Sequence, residues 1–270
     1  MSITPLGAAD AGARSGSGSD RGLDRSPARL LAVLDAVDTA PGAAALRQRS
    51  YTLLGLGPGV RLLDVGCGAG RAVGEAVALG AAAMGLDRDE AMIAAARARL
   101  PGGAFAVGDA TALPYGACAF DAYRADKVLH DLPDPTVALA EAHRVLAPGG
   151  RIVLTGQDWD TFVIDADDAA LIRALVHARA DLVPSPRAAR AFRNLLLDGG
   201  FHDVTVEVTT TTFTDARWLP LLTGLADAAL RAGAVDPARA AAWTADQRRR
   251  AATGRLFAAV PFFTAAATRR

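Results

Sequence analysis

Residues 62–70, Leu-Leu-Asp-Val-Gly-Cys-Gly-Ala-Gly, constrain this chain more than any other stretch. An apolar run (Val60, Leu62, Leu63, Val65) carries Asp64 near its end, and Gly66, Gly68 and Gly70 then occupy alternate positions. Arg71 to Leu79 is helix-compatible. A strand feeding a glycine turn that opens a helix is the nucleotide-binding corner of a doubly wound sheet. The glycine spacing narrows the reading. A dinucleotide fingerprint, G-x-G-x-x-G, would place its third glycine at position 71, where this chain has Arg71.

Strand and helix patterns alternate from that point. Strands are expected at 61–65, 82–86, 104–108, 119–124 and 151–155. Helices are expected at 70–79 and 89–100, and from Pro135, capped by Asp134, to Leu146, where Pro148-Gly149-Gly150 closes the element. Such alternation implies a parallel sheet covered by helices on both faces. Helices are expected again at 165–182, 187–198 and 216–252. Val204, Val206 and Val208 alternate with Thr205, Glu207 and Thr209, a period-two strand signal running through Phe213. Leu256 to Thr264 reads as a final strand, antiparallel to the one before it at one edge of the sheet.

Residues 1–25 are rich in Gly, Ser, Ala and Asp and are expected to form a disordered tail. Residues 26–270 are expected to form one domain: N-terminal helices over 26–56, a core over 57–156, helical insertions over 157–200 and 215–254, and C-terminal strands over 201–214 and 255–268. The first of those helices starts at Ser26-Pro27, a cap followed by proline at the first helical position.

Composition excludes several partners. With 29 basic and 29 acidic residues the formal charge is zero, and no basic stripe suits a phosphate backbone, so nucleic acid is not expected. Cys67 and Cys118 make neither a disulfide framework nor a metal site. No apolar run approaches the ~18 residues of a membrane span, and no signal-peptide order is seen. A cytoplasmic monomer or homodimer is expected.

The Asp-x-Gly-x-Gly-x-Gly order of Asp64 to Gly70 resembles motif I of the S-adenosylmethionine (SAM) dependent methyltransferases of the Rossmann-like class. The resemblance continues through Gly108-Asp109-Ala110, Leu113-Pro114, Phe120-Asp121, Leu132-Pro133-Asp134-Pro135 and Arg144-Val145-Leu146-Ala147-Pro148-Gly149-Gly150. In order and spacing these are similar to the small-molecule methyltransferases of the ubiquinone/menaquinone type, over residues 28–155. The implied fold is a mostly parallel seven-stranded Rossmann-like sheet with helices on both faces, capped by the N-terminal helices and the insertions.

Binding SAM makes three demands. A glycine turn must let backbone approach the methionyl and ribose parts, which Gly66, Gly68 and Gly70 supply, with Asp64 placed to orient the methionyl amine. An acid at the end of the second strand, about 20 residues beyond the turn, must accept from the ribose hydroxyls. Asp87 fits, and Arg88 beside it is counted with the cofactor set. A polar group after the third strand must meet adenine, and Asp109-Ala110 stands there. The resemblance further implies that Arg124 and Ala125 line the cofactor pocket.

Methyl transfer needs a base only when the acceptor is a hydroxyl, phenol, protonated amine or acidic carbon. His130 is the candidate because histidine titrates nearest neutral pH; a histidine bonded to SAM or packed against it is an equal alternative. Many relatives carry a second histidine where this chain has Asp131, which orients His130 or caps the next helix, capping being favoured. Asp158 and Asp160 either face substrate or are structural. Two or three of Trp159, Phe162, Trp218, Trp243, Phe257, Phe262 and Phe263 are expected to wall an apolar acceptor pocket. The remaining histidines share no ligand spacing, so no metal is expected.

The leading expectation is a SAM-dependent methyltransferase acting on a small, fairly apolar molecule, a specialised metabolite or quinone-like compound, and releasing S-adenosylhomocysteine (SAH). The rival from another enzyme class keeps the cofactor fold for cyclisation or isomerisation without net methyl transfer. A protein that merely senses SAM is disfavoured, because a capped, aromatic-lined site would be superfluous to it. Arg71 argues against a nicotinamide reductase, and the Tyr-Arg-Ala-Asp exit of the fourth strand lacks the signature of amino-group methylation on bases.

Overall fold

A computed structural model of the chain describes Thr39 and residues 42–270. The expected tail at 1–25 and the helix expected from Pro27 lie outside the described residues. The first described helix is α1 (Ala43–Leu54). There follow β1 (Arg61–Val65), α2 (Arg71–Ala78), β2 (Ala82–Asp87), α3 (Glu90–Arg99), β3 (Ala104–Val107) and β4 (Phe120–Asp126). A short 3-10 turn (Leu129–Asp131) leads into α4 (Pro135–Val145), β5 (Leu146–Gln157) and the two-residue β6 (Val163–Ile164). The chain closes with α5 (Ala169–Ala180), α6 (Ala188–Asp198), β7 (Phe201–Phe213), α7 (Leu219–Arg231), α8 (Pro237–Ala252) and β8 (Ala258–Arg269).

The strands form one sheet in the order β3-β2-β1-β4-β5-β8, with β7 on the far side of β8 and β6 pairing with its first residues. The strands β1 to β5 are mutually parallel, and β8 runs antiparallel to both β5 and β7. The fold is the expected mixed α/β sheet, with β6 as an added eighth strand. The final strand does pair antiparallel with β7, but it sits inside the sheet, between β5 and the β7 edge.

Period-two alternation assigns residues to faces. Leu62, Ala122, Val153 and Ala266 share one hydrophobic cluster with Leu54 of α1 and Val73 of α2. Leu63, Ala125, Leu154 and Ala265 belong to the cluster on the opposite face, under α4 and α6. A third cluster joins α5, α7 and α8 to Ile164, Phe213 and Val260 at the extension of the sheet. Trp243 is buried there and donates its indole N–H to the Leu222 carbonyl at 3.1 Å.

The helical stretch expected over 216–252 is divided into α7 and α8, because Gly233 takes a left-handed φ of 68° and Asp236 caps a new start at Pro237. One expectation is corrected. Pro148-Gly149-Gly150 does not separate helix from strand; β5 already begins at Leu146, and the register with β4 shifts between Phe120 and Ala122 to absorb the extra residues. Among the described residues no helix is long and apolar enough to cross a membrane.

The carboxyl end of β5 is fixed to α6 by charge. Asp158 is fully buried and takes two bonds from Arg190, Nη2 at 2.8 Å and the adjoining Nε, plus the Asp160 amide at 3.0 Å. Asp160 meets Arg187 Nε at 2.5 Å. Both aspartates are therefore committed to structural pairs. Replacing Arg190 with Leu strands a buried carboxylate and should cost about 3 kcal/mol, read as a lower midpoint in denaturant unfolding, whereas Arg187→Leu at the exposed partner should cost far less.

Candidate active site

The carboxyl ends of β1 and β4 are held together by buried charge. Asp64 and Arg124 are register partners on the same face. Asp64 is 1% exposed and Arg124 is 4% exposed. Arg124 Nη1 donates to Asp64 Oδ1 at 2.8 Å, its Nη2 to Asp126 at 2.8 Å and its Nε to the Ser50 hydroxyl at 3.1 Å. Lys127 Nζ lies 3.1 Å from the other Asp126 oxygen.

Burial pushes the Asp64 carboxyl up, and Arg124 opposes it. Burial also works against the charge of Arg124, but Asp64 and Asp126 outweigh it and hold the guanidinium protonated. Desolvation of Asp126 is likewise outweighed by Lys127 and Arg124, which keep it below the usual carboxylate range.

A cleft opens over this network, lined by Asp64, Gly66, Gly68, Arg124, Asp126 and Lys127, and by Arg47 from α1. The glycines have separate jobs. At Gly66, with φ at 65°, a Cβ would stand 2.3 Å from Val128. At Gly68, with φ at 52°, a Cβ would meet nothing within 4 Å, so this is the open face of the turn. Gly70 is a packing position against Phe105 and Ala96.

Asp87 reaches the cleft through the turn: its carboxylate accepts from Gly68 N at 2.8 Å and from Asp89 N at 3.0 Å. Arg88 and Asp109 are exposed at the neighbouring strand ends, and Asp109 is engaged by the Thr111 amide and hydroxyl. Ala110 packs its methyl into the core. Ala125 packs its methyl into the cluster on the opposite face, and Asp126 and Lys127 line the cleft beside Arg124.

Sequence reasoning also missed Arg47. Its signal was a helical stripe, Arg47, Ser50, Tyr51 and Leu54, in which two polar residues hold buried positions. Arg47 pairs with Glu75 at 3.1 Å, and Tyr51 bonds the same carboxylate at 2.8 Å. Lys127 had a signal too. It is the only lysine in the chain, and it is held at a φ of 61°, a conformation that strained functional loops retain.

His130 lies in the turn after β4, 9% exposed. Its ring meets Trp159 edge-on at 5.5 Å, and Trp159 stacks on Phe162 at 5.6 Å beneath the Arg179 guanidinium at 4.1 Å. Ser185 N holds the His130 carbonyl at 2.9 Å. Burial, the largest influence, pushes His130 below the ordinary 6.5, with Arg179 and Lys127 adding to it and Asp131 and Asp126 opposing. Asp131 does not cap the next helix. Asp134 does so, accepting from Thr136 N at 2.9 Å, while Asp131 Oδ1 stands 3.5 Å from His130 Nε2. Of the aromatics, Trp243 and Phe263 pack with the core clusters, and Trp159 and Trp218 keep buried indole N–H groups without partners among the described residues.

Residues 63–154 match the family described as a methyltransferase domain. A 37.1 kDa protein in transposon TN4556 of Streptomyces fradiae is 35% identical over 247 residues, covering 88% of this chain and 70% of that protein. The chain belongs to the class I SAM-dependent methyltransferases. A demethylmenaquinone methyltransferase of Renibacterium salmoninarum is 33% identical to this methyltransferase over 150 residues, 52% of the chain, which spans 63% of the length of that relative. The fold matches phosphoethanolamine N-methyltransferase 2 of Haemonchus contortus, solved with phosphomonomethylethanolamine and SAH. That likeness has a TM-score of 0.59 at 16% identity, over 93% of this chain and 58% of the other.

SAM is the methyl donor of this family, and the residues present fit it. Asp64 lines the cleft, and its Oδ2 is buried without a partner among the described residues, an acceptor suited to an ammonium group. Gly68 leaves room for close approach, and Asp87 offers a fixed carboxylate at the next strand end. Replacing Asp87 with Ala should weaken SAH binding by about 10- to 100-fold, the worth of hydrogen bonds to a charged group, in calorimetric titration, with the fold intact by circular dichroism.

Proposed function

We propose that this methyltransferase moves a methyl group from SAM to a small, fairly apolar acceptor, a specialised metabolite or quinone-like compound. The observation that carries the reading is Asp64, a buried carboxylate with one oxygen bonded to Arg124 and the other without a partner among the described residues, in the cleft that the glycine turn also lines. In this reading Asp64 takes the methionyl amine, Arg47 and Lys127 supply positive charge for the methionyl carboxylate, and Asp87 takes the ribose. Asp109 and the backbone at Ala110, with Arg88 beside them, border adenine.

When bound, SAM supplies a methyl group on a sulfonium, already activated for in-line displacement. The protein's share is alignment and the exclusion of water. The Trp159–Phe162 stack and Phe262 offer the apolar surface for an acceptor. His130, kept neutral by burial, takes the proton when the acceptor is a hydroxyl or acidic carbon, and Asp131 orients it. The formal charge of zero gives no support to a nucleic-acid acceptor. Free Cys67 and Cys118 suit a reducing compartment such as the cytoplasm, and the reading takes a monomer or homodimer.

Incubation with SAM and candidate acceptors tests the proposal by product mass: a gain of one methyl is expected, whereas an isomer of unchanged mass would favour cyclisation. The pH dependence tests the base. Because the His130 pKa is depressed, its neutral form persists below pH 6.5, so the acid limb of kcat/KM should fall below the ordinary histidine range. Replacing His130 with Ala should abolish that limb and lower kcat by about 100-fold or more.

A further inference from the structure

On the face of the sheet that carries Asp64 and Arg124, a second set of buried polar groups lies beyond the cofactor cleft. Asp126 on β4 is the register partner of Thr155 on β5, and Thr155 is the partner of Thr264 on β8. Gln157 lies two residues along β5 from Thr155, on the same face, opposite Phe262. Thr155 is 4% exposed, Gln157 8% and Thr264 3%. Among the described residues the Thr155 and Thr264 hydroxyls and the Gln157 side-chain carbonyl have no hydrogen-bond partner.

Leaving three such groups dry costs folding free energy, because each gives up water and receives nothing. Purely structural positions at the middle of a sheet would hold Val or Ile, as Val153 does one row back. The chemistry of the set is specific. Threonine hydroxyls donate and accept, the Gln157 carbonyl accepts, and none of the three carries charge. Phe262 flanks the set on β8 and packs against the third cluster, giving an apolar wall beside a polar floor.

We propose that Thr155, Gln157 and Thr264 form the acceptor-orienting subsite, and that the acceptor is an uncharged molecule with at least two hydroxyl or carbonyl oxygens on an apolar frame. This rests on the methyltransferase reading and sharpens it. The oxygens of the acceptor pair with the three side chains, its carbon frame lies on Phe262, and Asp126 sets the distance between this floor and the cofactor cleft. A phosphorylated acceptor would find no countercharge among the three side chains.

The test titrates SAH-loaded protein with catechol, toluene and phenyl phosphate as probes, followed by ligand-observed NMR. Catechol should bind about tenfold or more tighter than either of the others. The Thr155→Val/Thr264→Val double variant should lose that preference while SAH affinity stays within about twofold. Its melting temperature should hold or rise, since Val fills the same volume without an unsatisfied hydroxyl. Equal binding of catechol and toluene, tighter binding of phenyl phosphate, or catechol binding unchanged in the variant would overturn the subsite. A lower melting temperature with catechol binding unchanged would mean that the hydroxyls hold structural water, and would overturn it too. Absence of SAH binding would overturn the methyltransferase reading itself, and the subsite with it.

Discussion

Two opposite charges buried side by side, Asp64 on β1 and Arg124 on β4, set what can lie above them. Removing either partner would leave an uncompensated charge where water cannot reach, so the pair must persist for the sheet to persist. Yet the pairing is incomplete by design of the geometry. Arg124 spends its other nitrogens on Asp126 and Ser50, and one Asp64 oxygen is buried without a partner among the described residues. A cationic group placed there completes the network. On the proposed reading, the arrangement that stabilises the strand ends also takes the methionyl ammonium, and the glycine turn beside it gives room for the rest of the cofactor.

The surrounding elements serve that centre. The helix α1 brings Arg47, Ser50 and Tyr51 down onto it, so the segment before β1 is part of the site as well as its cover. On the other side, Asp158 and Arg190 lock the end of β5 to α6, and Trp159 N bonds the Pro186 carbonyl at 3.1 Å. That lock fixes Trp159, and with it the wall against which His130 rests. The cap helices α5, α7 and α8 form their own hydrophobic cluster and meet the sheet at Val260 and Phe213, just past the polar floor at Thr155 and Thr264.

The parts legible in the sequence were those set by local chemistry. The glycine turn, the acid at Asp87 and the alternation of strands and helices depend on residues close in the chain, and each was found where it was expected. Other features depend on pairing across the sheet. Arg124 is expected in the pocket from the resemblance, but its partner Asp64 lies 60 positions away and nothing local announces the ion pair. Ala125, next to Arg124 in the strand, turns its side chain to the opposite face of the sheet. Asp131 reads as a cap, yet Asp134 holds that position, and only the fold shows Asp131 against His130. The buried polar floor was invisible for the same reason. Thr155, Gln157 and Thr264 read as ordinary strand residues until the register puts them on one face.

The central claim is that charged groups at the ends of β1 and β4 hold the amino-acid end of the cofactor. Comparative calorimetry of SAH and 5′-methylthioadenosine, which lacks that end, tests it most directly. The account predicts that SAH binds at least about tenfold tighter, the difference expected for one charge-assisted contact. Equal affinities would contradict it, because the Asp64–Arg124 centre would then contribute nothing to holding the ligand.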